Sequence, residues 1–456
     1  MRTTDTIAAI STSLSPSGIG IVRMSGEDAV VIADKIYRGK KKLVDCDTHT
    51  INYGFIYDGD ERIDEVLVML MRAPRTYTGE DTVEIDCHGG LLVQKKVLSL
   101  LLENGANLAE PGEFTKRAFL NGKMDLSQAE AVADIIDAAN DNALKIGEKQ
   151  LQGTLSEEIK NMRAKLLYEI AYIEATLDDP EHYNFDGYSE KLKSVVSDIK
   201  SKIEKLLKDS ETGLVLKAGV DTVILGKPNA GKSSVYNLLT KSDRAIVTEI
   251  AGTTRDTLTE NVRLDGISLN LTDTAGLRES DDTIEQIGVN RAKTAANEAD
   301  MLIVVIDGSL DFTEEDRILL ESVEQKNAVI LINKSDKGLK IRSEDIEKYS
   351  KKPCVIFSAK DKTGLENLTE EMKKLFYNGD IDINNNIYIT SVRQQNALKD
   401  AMNSLKLVEA GIENGAAEDF LSIDLTDAYE ALGVITGETI GEDVIDEIFS
   451  KFCMGK

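Results

Sequence analysis

Gly226-Lys227-Pro228-Asn229-Ala230-Gly231-Lys232-Ser233 follows the apolar run Val220–Leu225 and forms a complete G-x-x-x-x-G-K-[ST] loop. Its glycines let backbone N–H groups converge on phosphate oxygens, and the helix expected after it adds the positive end of its dipole. Lys232 would reach the β- and γ-phosphates, and Ser233 would ligate Mg²⁺. Three further motifs select the nucleotide. Asp273-Thr274-Ala275-Gly276 follows an alternating run, where the aspartate can hold the Mg²⁺ shell and the glycine N–H can sense the γ-phosphate. Asn333-Lys334-Ser335-Asp336 follows the apolar run Val329–Ile332; its carboxylate can pair with N1–H and the 2-amino group of guanine. Ser358-Ala359-Lys360 completes the base pocket, and Thr254 within Gly252-Thr253-Thr254-Arg255-Asp256 is placed to close on Mg²⁺. Each motif stands at the carboxyl end of an expected strand, where an open α/β sheet binds its ligand. The reading is a GTP-binding G domain. Leu277 follows Gly276 where a glutamine would orient the attacking water, so water positioning must come from another residue. The acidic stretch 278–285 is the nearest source.

The elements that must position these motifs divide the 456 residues into several domains. Residues 1–120 read as α+β, with strands near Thr6–Ile10, Ile19–Met24, Val66–Met71 and Val83–Cys87 and a helix over Leu91–Glu103. From Ser127 the pattern is helical, with capping boxes expected at Ser127–Glu130 and Thr154–Glu157 and a further helix over Ser189–Leu207. The G domain spans 217–378, and helical patterning returns in 379–456. A G domain between 121–216 and 379–456 reads as an insertion into one helical domain.

Composition narrows the partners. There are 80 acidic against 54 basic residues, a formal net charge of −26, and this argues against tight unaided binding to a nucleic-acid backbone. No apolar run is long enough to span a membrane, and the start Met1–Asp5 has no apolar signal region, so cytosol is expected. The four cysteines lack metal or disulfide spacing. From the residues alone, Cys453 is an exposed thiol at a helix end.

Further stretches carry a resemblance along essentially the whole chain. These are Gly20–Gly26, Tyr77-Thr78-Gly79-Glu80-Asp81, Pro111–Phe114 continuing to Arg117–Lys123, Gly252–Asp256, and the tail Cys453-Met454-Gly455-Lys456. With the inserted G domain they resemble the MnmE (TrmE) family of tRNA-modification GTPases. The resemblance implies a multidomain α/β plus α protein: an N-terminal domain that binds tetrahydrofolate and dimerises, a discontinuous helical domain, and an inserted Ras-like G domain. Arg23, Glu80, Lys123 and Lys456 fall on the family's folate-contacting positions, for 5-formyl- or 5,10-methylene-tetrahydrofolate. The family's G domains are K⁺-activated and dimerising, so Asn229, Thr248, Ile250 and Thr253 match K⁺ ligands and Glu285 matches the water-orienting glutamate. The guanine-nucleotide set becomes Asn229, Ala230, Gly231, Lys232, Ser233 and Ser234, then Thr248, Glu249, Ile250, Ala251, Gly252, Thr253 and Thr254, then the later motifs. The family implies a homodimer working with the flavoprotein MnmG. Together they would install an aminomethyl or carboxymethylaminomethyl group at C5 of the wobble uridine of certain tRNAs, with Cys453 as the tail cysteine that the modification needs. Two alternatives share the G motifs: a ribosome-assembly GTPase of the Era type, and a nucleotide-gated dimerisation switch with slow hydrolysis.

Overall fold

The computed structural model describes residues 5–138, 140–179, 182, 185–241, 259–264, 267–272, 297–376 and 386–455. They fall into two compact units: 1–136 with 149–196 and 403–456, and 137–148 with 197–402.

The first unit opens with a seven-stranded sheet in the order β3-β4-β5-β6-β2-β1-β7. Its strands are β1 (Ile7–Ile10), β2 (Gly20–Ser25), β3 (Tyr37–Gly39), β4 (Thr50–Asp58), β5 (Glu61–Met71), β6 (Thr82–Cys87) and β7 (Asn107–Leu108). Only the short β1–β7 contact is parallel. Val22, Met24, Val83, Ile85, Val66, Val68 and Leu70 point to one face, with α1 (Ala29–Ile36) and α2 (Leu91–Glu103) supplying the rest of that core. Period-2 alternation therefore sends Arg23, Ser25, Thr82 and Glu84 to the opposite face. The hairpin β4–β5 turns at Asp58-Gly59-Asp60, and the expected strand at Val66 begins five residues earlier, at Glu61.

Helices α3 (Glu113–Leu120), α4 (Leu126–Ile136), α5 (Asp141–Leu151), α6 (Thr154–Asp178) and α7 (Tyr188–Ala218) follow. Neither expected capping box forms where the sequence suggested. At α4 the reciprocal pair sits two residues earlier: Asp125 Oδ1 accepts from Gln128 N (3.1 Å) and Gln128 Oε1 accepts from Asp125 N (3.0 Å). An aspartate competes for the cap at least as well as a serine, and Ser127 Oγ donates to Asp125 instead. At α6 the cap is Gly153, held at φ +86°, so Thr154 is already helical and donates to Lys149 O.

The second unit carries a six-stranded sheet in the order β13-β12-β11-β8-β10-β9. The strands are β8 (Val220–Gly226), β9 (Thr259–Leu264), β10 (Ile267–Thr272), β11 (Met301–Asp307), β12 (Ala328–Asn333) and β13 (Cys354–Ile356). All neighbours are parallel except β9 against β10. β11 and β12 are buried at every position, because α8 (Lys232–Lys241), α9 (Glu314–Ser322), α10 (Ser343–Glu347) and α11 (Leu365–Phe376) accompany a sheet that is apolar on both faces. β8 lies at the switch point, with β10 on one side and β11 on the other.

Helices α12 (Val392–Asn414), α13 (Glu418–Thr436) and α14 (Glu442–Ser450) close the chain. In the first unit α13 packs along α6, and α14 lies against α3, so the C-terminal helices pair with helices from before the phosphate loop. No described helix is long and apolar enough to cross a membrane.

Candidate functional site

The phosphate loop leaves β8 through Gly226 at φ +153°, where a Cβ would stand 2.4 Å from Val305 O on β11. Gly231 has φ +104°, and its Cβ would meet Asn333 Nδ2 at 2.2 Å. Both glycines are thus required by close approach as well as by backbone conformation. Asn229 takes the left-handed conformation at φ +62°, and its side chain is exposed. Lys232 opens α8, and its ammonium donates to the carbonyls of Gly226 (2.9 Å) and Lys227 (2.8 Å). Ser233 and Ser234 are exposed in the first turn of α8, while Ala230 is buried.

The base-reading motifs close on this loop. Asn333 donates to Ala230 O (2.9 Å) and accepts from Ala359 N (3.2 Å), so one buried amide ties three motifs together. Lys334 donates to Asn229 O and to Asp307 Oδ2, each at 2.6 Å. Burial would raise the Asp307 carboxyl, but the Lys334 ammonium and the hydroxyl and amide of Ser309 outweigh it and hold it below the usual carboxylate range. Ser358 Oγ donates to Asp336 Oδ1 (3.1 Å), and Lys360 lies 3.8 Å from Asp336 Oδ2. Thr248, Glu249, Ile250, Ala251, Gly252, Thr253, Thr254, Asp273, Thr274, Ala275, Gly276 and Glu285 lie outside the described residues. The Ser233 hydroxyl is a hard-oxygen donor of the kind that Mg²⁺ takes. An exposed Asn229 amide oxygen is likewise the donor type suited to K⁺. Among the described residues no His, Cys, Asp and Glu group could hold a metal by itself.

A second polar cluster lies on the face of the N-terminal sheet opposite its main core, beside the small buried group of Ile7, Ala9, Ala109 and Phe114. Arg23 on β2 stands opposite Glu84 on β6, with Nε to Oε1 at 2.6 Å, and its Nη1 donates to Gly455 O (3.2 Å). Ser11 Oγ also donates to Gly455 O (3.1 Å), and Gly112 N donates to Cys453 O (3.3 Å). The C-terminal tail is thereby laid across β1 and the start of α3. Gly455 is buried at φ +81°, and its Cβ would be 2.5 Å from Ile10 O. Glu80 accepts from Ser25 Oγ (2.8 Å) and from Arg117 Nη1 (3.2 Å), and Arg117 also donates to Glu113 Oε1 (2.8 Å). Arg117 is 6 % exposed, so its fork between two carboxylates is nearly water-free. Lys123 donates to Pro74 O (3.0 Å) at the exposed end of the cluster. Lys456 lies outside the described residues. A carboxylate flanked by cations, one partly open and one exposed, fits a ligand with a donor-rich ring at one end and carboxylates at the other.

Arg23, Glu80 and Lys123 were named from the sequence. The sequence gives no site role to Arg117, Glu84, Ser25, Glu113 or Asp307, although Ser25, Glu113 and Arg117 fall in the stretches that carry the resemblance. Arg117 lies four residues after Glu113, a spacing that places both on one helix face. Glu84 carried no signal, because its pairing depends on strand register. Cys453 is exposed as expected, whereas burial pushes the thiols of Cys87 and Cys354 up to about 11.

Comparison with known proteins shows the family to which the chain belongs. Residues 6–123 match the model of the GTP-binding protein TrmE N-terminus, and residues 126–453 match the MnmE helical domain. The tRNA modification GTPase MnmE of Lachnoclostridium phytofermentans is 52% identical over 99% of this chain and 100% of that protein. Its namesake from Lactobacillus delbrueckii subsp. bulgaricus is 46% identical over 99% and 98%, and that of Acetivibrio thermocellus 45% over 99% and 99%. With both family models matched in order and relatives this similar end to end, the chain belongs to the MnmE family.

Proposed function

We propose that this chain is a GTP hydrolase that acts in the modification of tRNA. The observation that carries the GTP-hydrolase reading is the set of hydrogen bonds that draws Ala230, Asn333, Asp336, Ser358 and Ala359 together beside the phosphate loop. A buried-side carboxylate at Asp336 accepts the paired donors of guanine, and loss of that pairing is what excludes adenine. Hydrolysis forms a bond from water oxygen to the γ-phosphorus and breaks the bond to the β–γ bridging oxygen, giving GDP and inorganic phosphate. Lys232 and the loop amides hold the phosphate charge that develops there. Mg²⁺, held through Ser233 and Thr254, would supply further neutralisation.

With Leu277 unable to orient water, Glu285 takes that role and K⁺ at Asn229, Thr248, Ile250 and Thr253 supplies the charge that an arginine finger provides elsewhere. Fixed positive charge there contributes about 10³–10⁵ in rate when an arginine provides it. In the N-terminal cluster, Glu80, Arg23, Lys123 and Lys456 bind 5-formyl- or 5,10-methylene-tetrahydrofolate as the one-carbon source. Cys453 serves the modification at C5 of the wobble uridine. The protein works as a cytosolic homodimer with the flavoprotein MnmG, which carries most of the tRNA contact, as the −26 net charge favours. The domains are 1–120, 121–216 with 379–456, and 217–378.

Steady-state GTP hydrolysis in matched KCl and NaCl tests the central claim. Turnover should be far faster in KCl; equal rates in both salts remove the potassium mechanism. Calorimetry with 5-formyl-tetrahydrofolate tests the second site, and absence of heat at saturating ligand counts against it.

A further inference from the structure

We propose that Lys227 is a positioning residue for the nucleotide site, holding the phosphate loop in its receiving shape through an ion pair with Asp316. The inference rests on reading 226–233 as the phosphate-binding element. Lys227 occupies a position that the loop motif leaves open to any residue. Its ammonium donates to Thr313 Oγ1 and to Asp316 Oδ2, both at 2.8 Å. Thr313 and Asp316 form the capping box of α9, so the lysine is fastened to a helix end. Asp316 Oδ2 takes three donors, from Lys227 Nζ, Thr313 N and Thr313 Oγ1. Its Oδ1 is buried and has no partner among the described residues, and the side chain is 3 % exposed. A carboxylate this dry depends on the one cation that reaches it among the described residues.

The backbone of the same residue serves the loop. The carbonyl of Lys227 is one of the two that receive the Lys232 ammonium, and Ala230 N also donates to it (3.3 Å). When Lys232 leaves those carbonyls for a phosphate, the loop loses two hydrogen bonds that shape it. The Lys227–Asp316 tie does not involve Lys232 and persists through that exchange. It keeps the loop amides convergent, which reduces the ordering cost of binding.

Three variants of the full chain, read by equilibrium binding of a fluorescent GDP analogue and by thermal unfolding, test this. Lys227→Met leaves a buried carboxylate unpaired, so melting temperature and affinity should both fall. The double variant Lys227→Met/Asp316→Asn removes that unpaired charge, so its melting temperature should recover while its affinity stays about tenfold below wild type. Lys227→Arg keeps the tie and should stay close to wild type in both. A purely structural role predicts that the double variant regains affinity along with stability, and that result, or wild-type affinity in Lys227→Met, overturns the proposal. Should the double variant fail to fold, amide exchange of 226–232 in Lys227→Arg and Lys227→Met with GDP bound decides: equal protection in the two overturns it. A wild-type chain that bound no guanine nucleotide would overturn the underlying reading and this inference together.

Discussion

The two polar sites of this molecule are assembled by opposite means. The nucleotide site hangs on a parallel sheet, and each described motif directly follows a strand: Gly226–Ser233 after β8, Asn333–Asp336 at the end of β12, and Ser358–Lys360 just beyond β13. Because the strands run the same way, everything that follows a strand emerges at the same edge, whatever the strand order. The N-terminal cluster hangs on a largely antiparallel sheet, where neighbouring strands point opposite ways. There a one-residue slip in register would send Arg23 and Glu84 to the wrong face. Its remaining members come from a loop (Glu80), a helix (Arg117) and the far end of the chain (Gly455). The first site is mostly backbone held in special conformations, whereas the second is a web of ionised side chains.

This contrast can be broken or sharpened by substitution, and the largest effect is expected where one side chain alone reads the ligand. Asp336→Asn should cut discrimination for guanine over other bases by about 10⁴, the scale lost when a buried paired group has no partner. Competition between GTP and xanthosine triphosphate checks it, because an amide can donate to the 2-carbonyl that replaces the guanine amino group. Unchanged GTP preference would mean that Asp336 does not read the base.

Glu80→Gln keeps shape but removes the charge that Arg117 and Ser25 support. A charged hydrogen bond contributes about 1.5–3 kcal/mol, so affinity for 5-formyl-tetrahydrofolate should fall by roughly tenfold or more, while GTP turnover stays at the wild-type rate. If calorimetry finds the variant binding as tightly as wild type, the cluster is structural.

Gly455→Ala tests the docked tail. Its φ of +81° and the 2.5 Å approach to Ile10 O leave no room for a methyl group, so the tail should lift at a cost of about 1–3 kcal/mol. Amide exchange should then rise at Gly112, whose N–H loses the Cys453 carbonyl; unchanged protection would argue that the tail is not held there.

The smallest effect concerns Asp307, whose carboxyl is held below its unfolded value of 3.8. A depressed folded value contributes stability that is fully present above 3.8 and is lost as pH falls through the folded value. Asp307→Asn should therefore lower the melting temperature of the phosphate-loop unit by a constant amount from pH 8 to pH 5, worth about 1 kcal/mol. The gap to wild type should narrow in stronger acid, and a gap that widens there would reverse the assigned sign.

Legibility followed the same division. The phosphate loop, Asn333-Lys334-Ser335-Asp336 and Ser358-Ala359-Lys360 were readable because each is a contiguous string whose residue types are dictated by the ligand. Most long helices were readable from their periodicity, although their caps were not, since Asp125 and Gly153 outcompeted the serine and threonine expected there. β4 carries Ile51 and Tyr53 on its exposed face, which blurred the alternation that would have marked it as a strand. Arg117 stood in plain view without a role, because nothing local says that Glu80 lies within reach of its guanidinium.

The sequence by itself determined the nucleotide, the order of the strand-end motifs and the missing water-orienting glutamine, all of which are matters of residue type at short spacing. Only the tertiary structure decided that Gly455 would be held by Arg23 and Ser11, that Glu84 would neutralise Arg23, and that Lys227 would be moored to Asp316. Those pairings join segments far apart in the chain, and they follow from strand register and helix docking, which no local string of residues encodes.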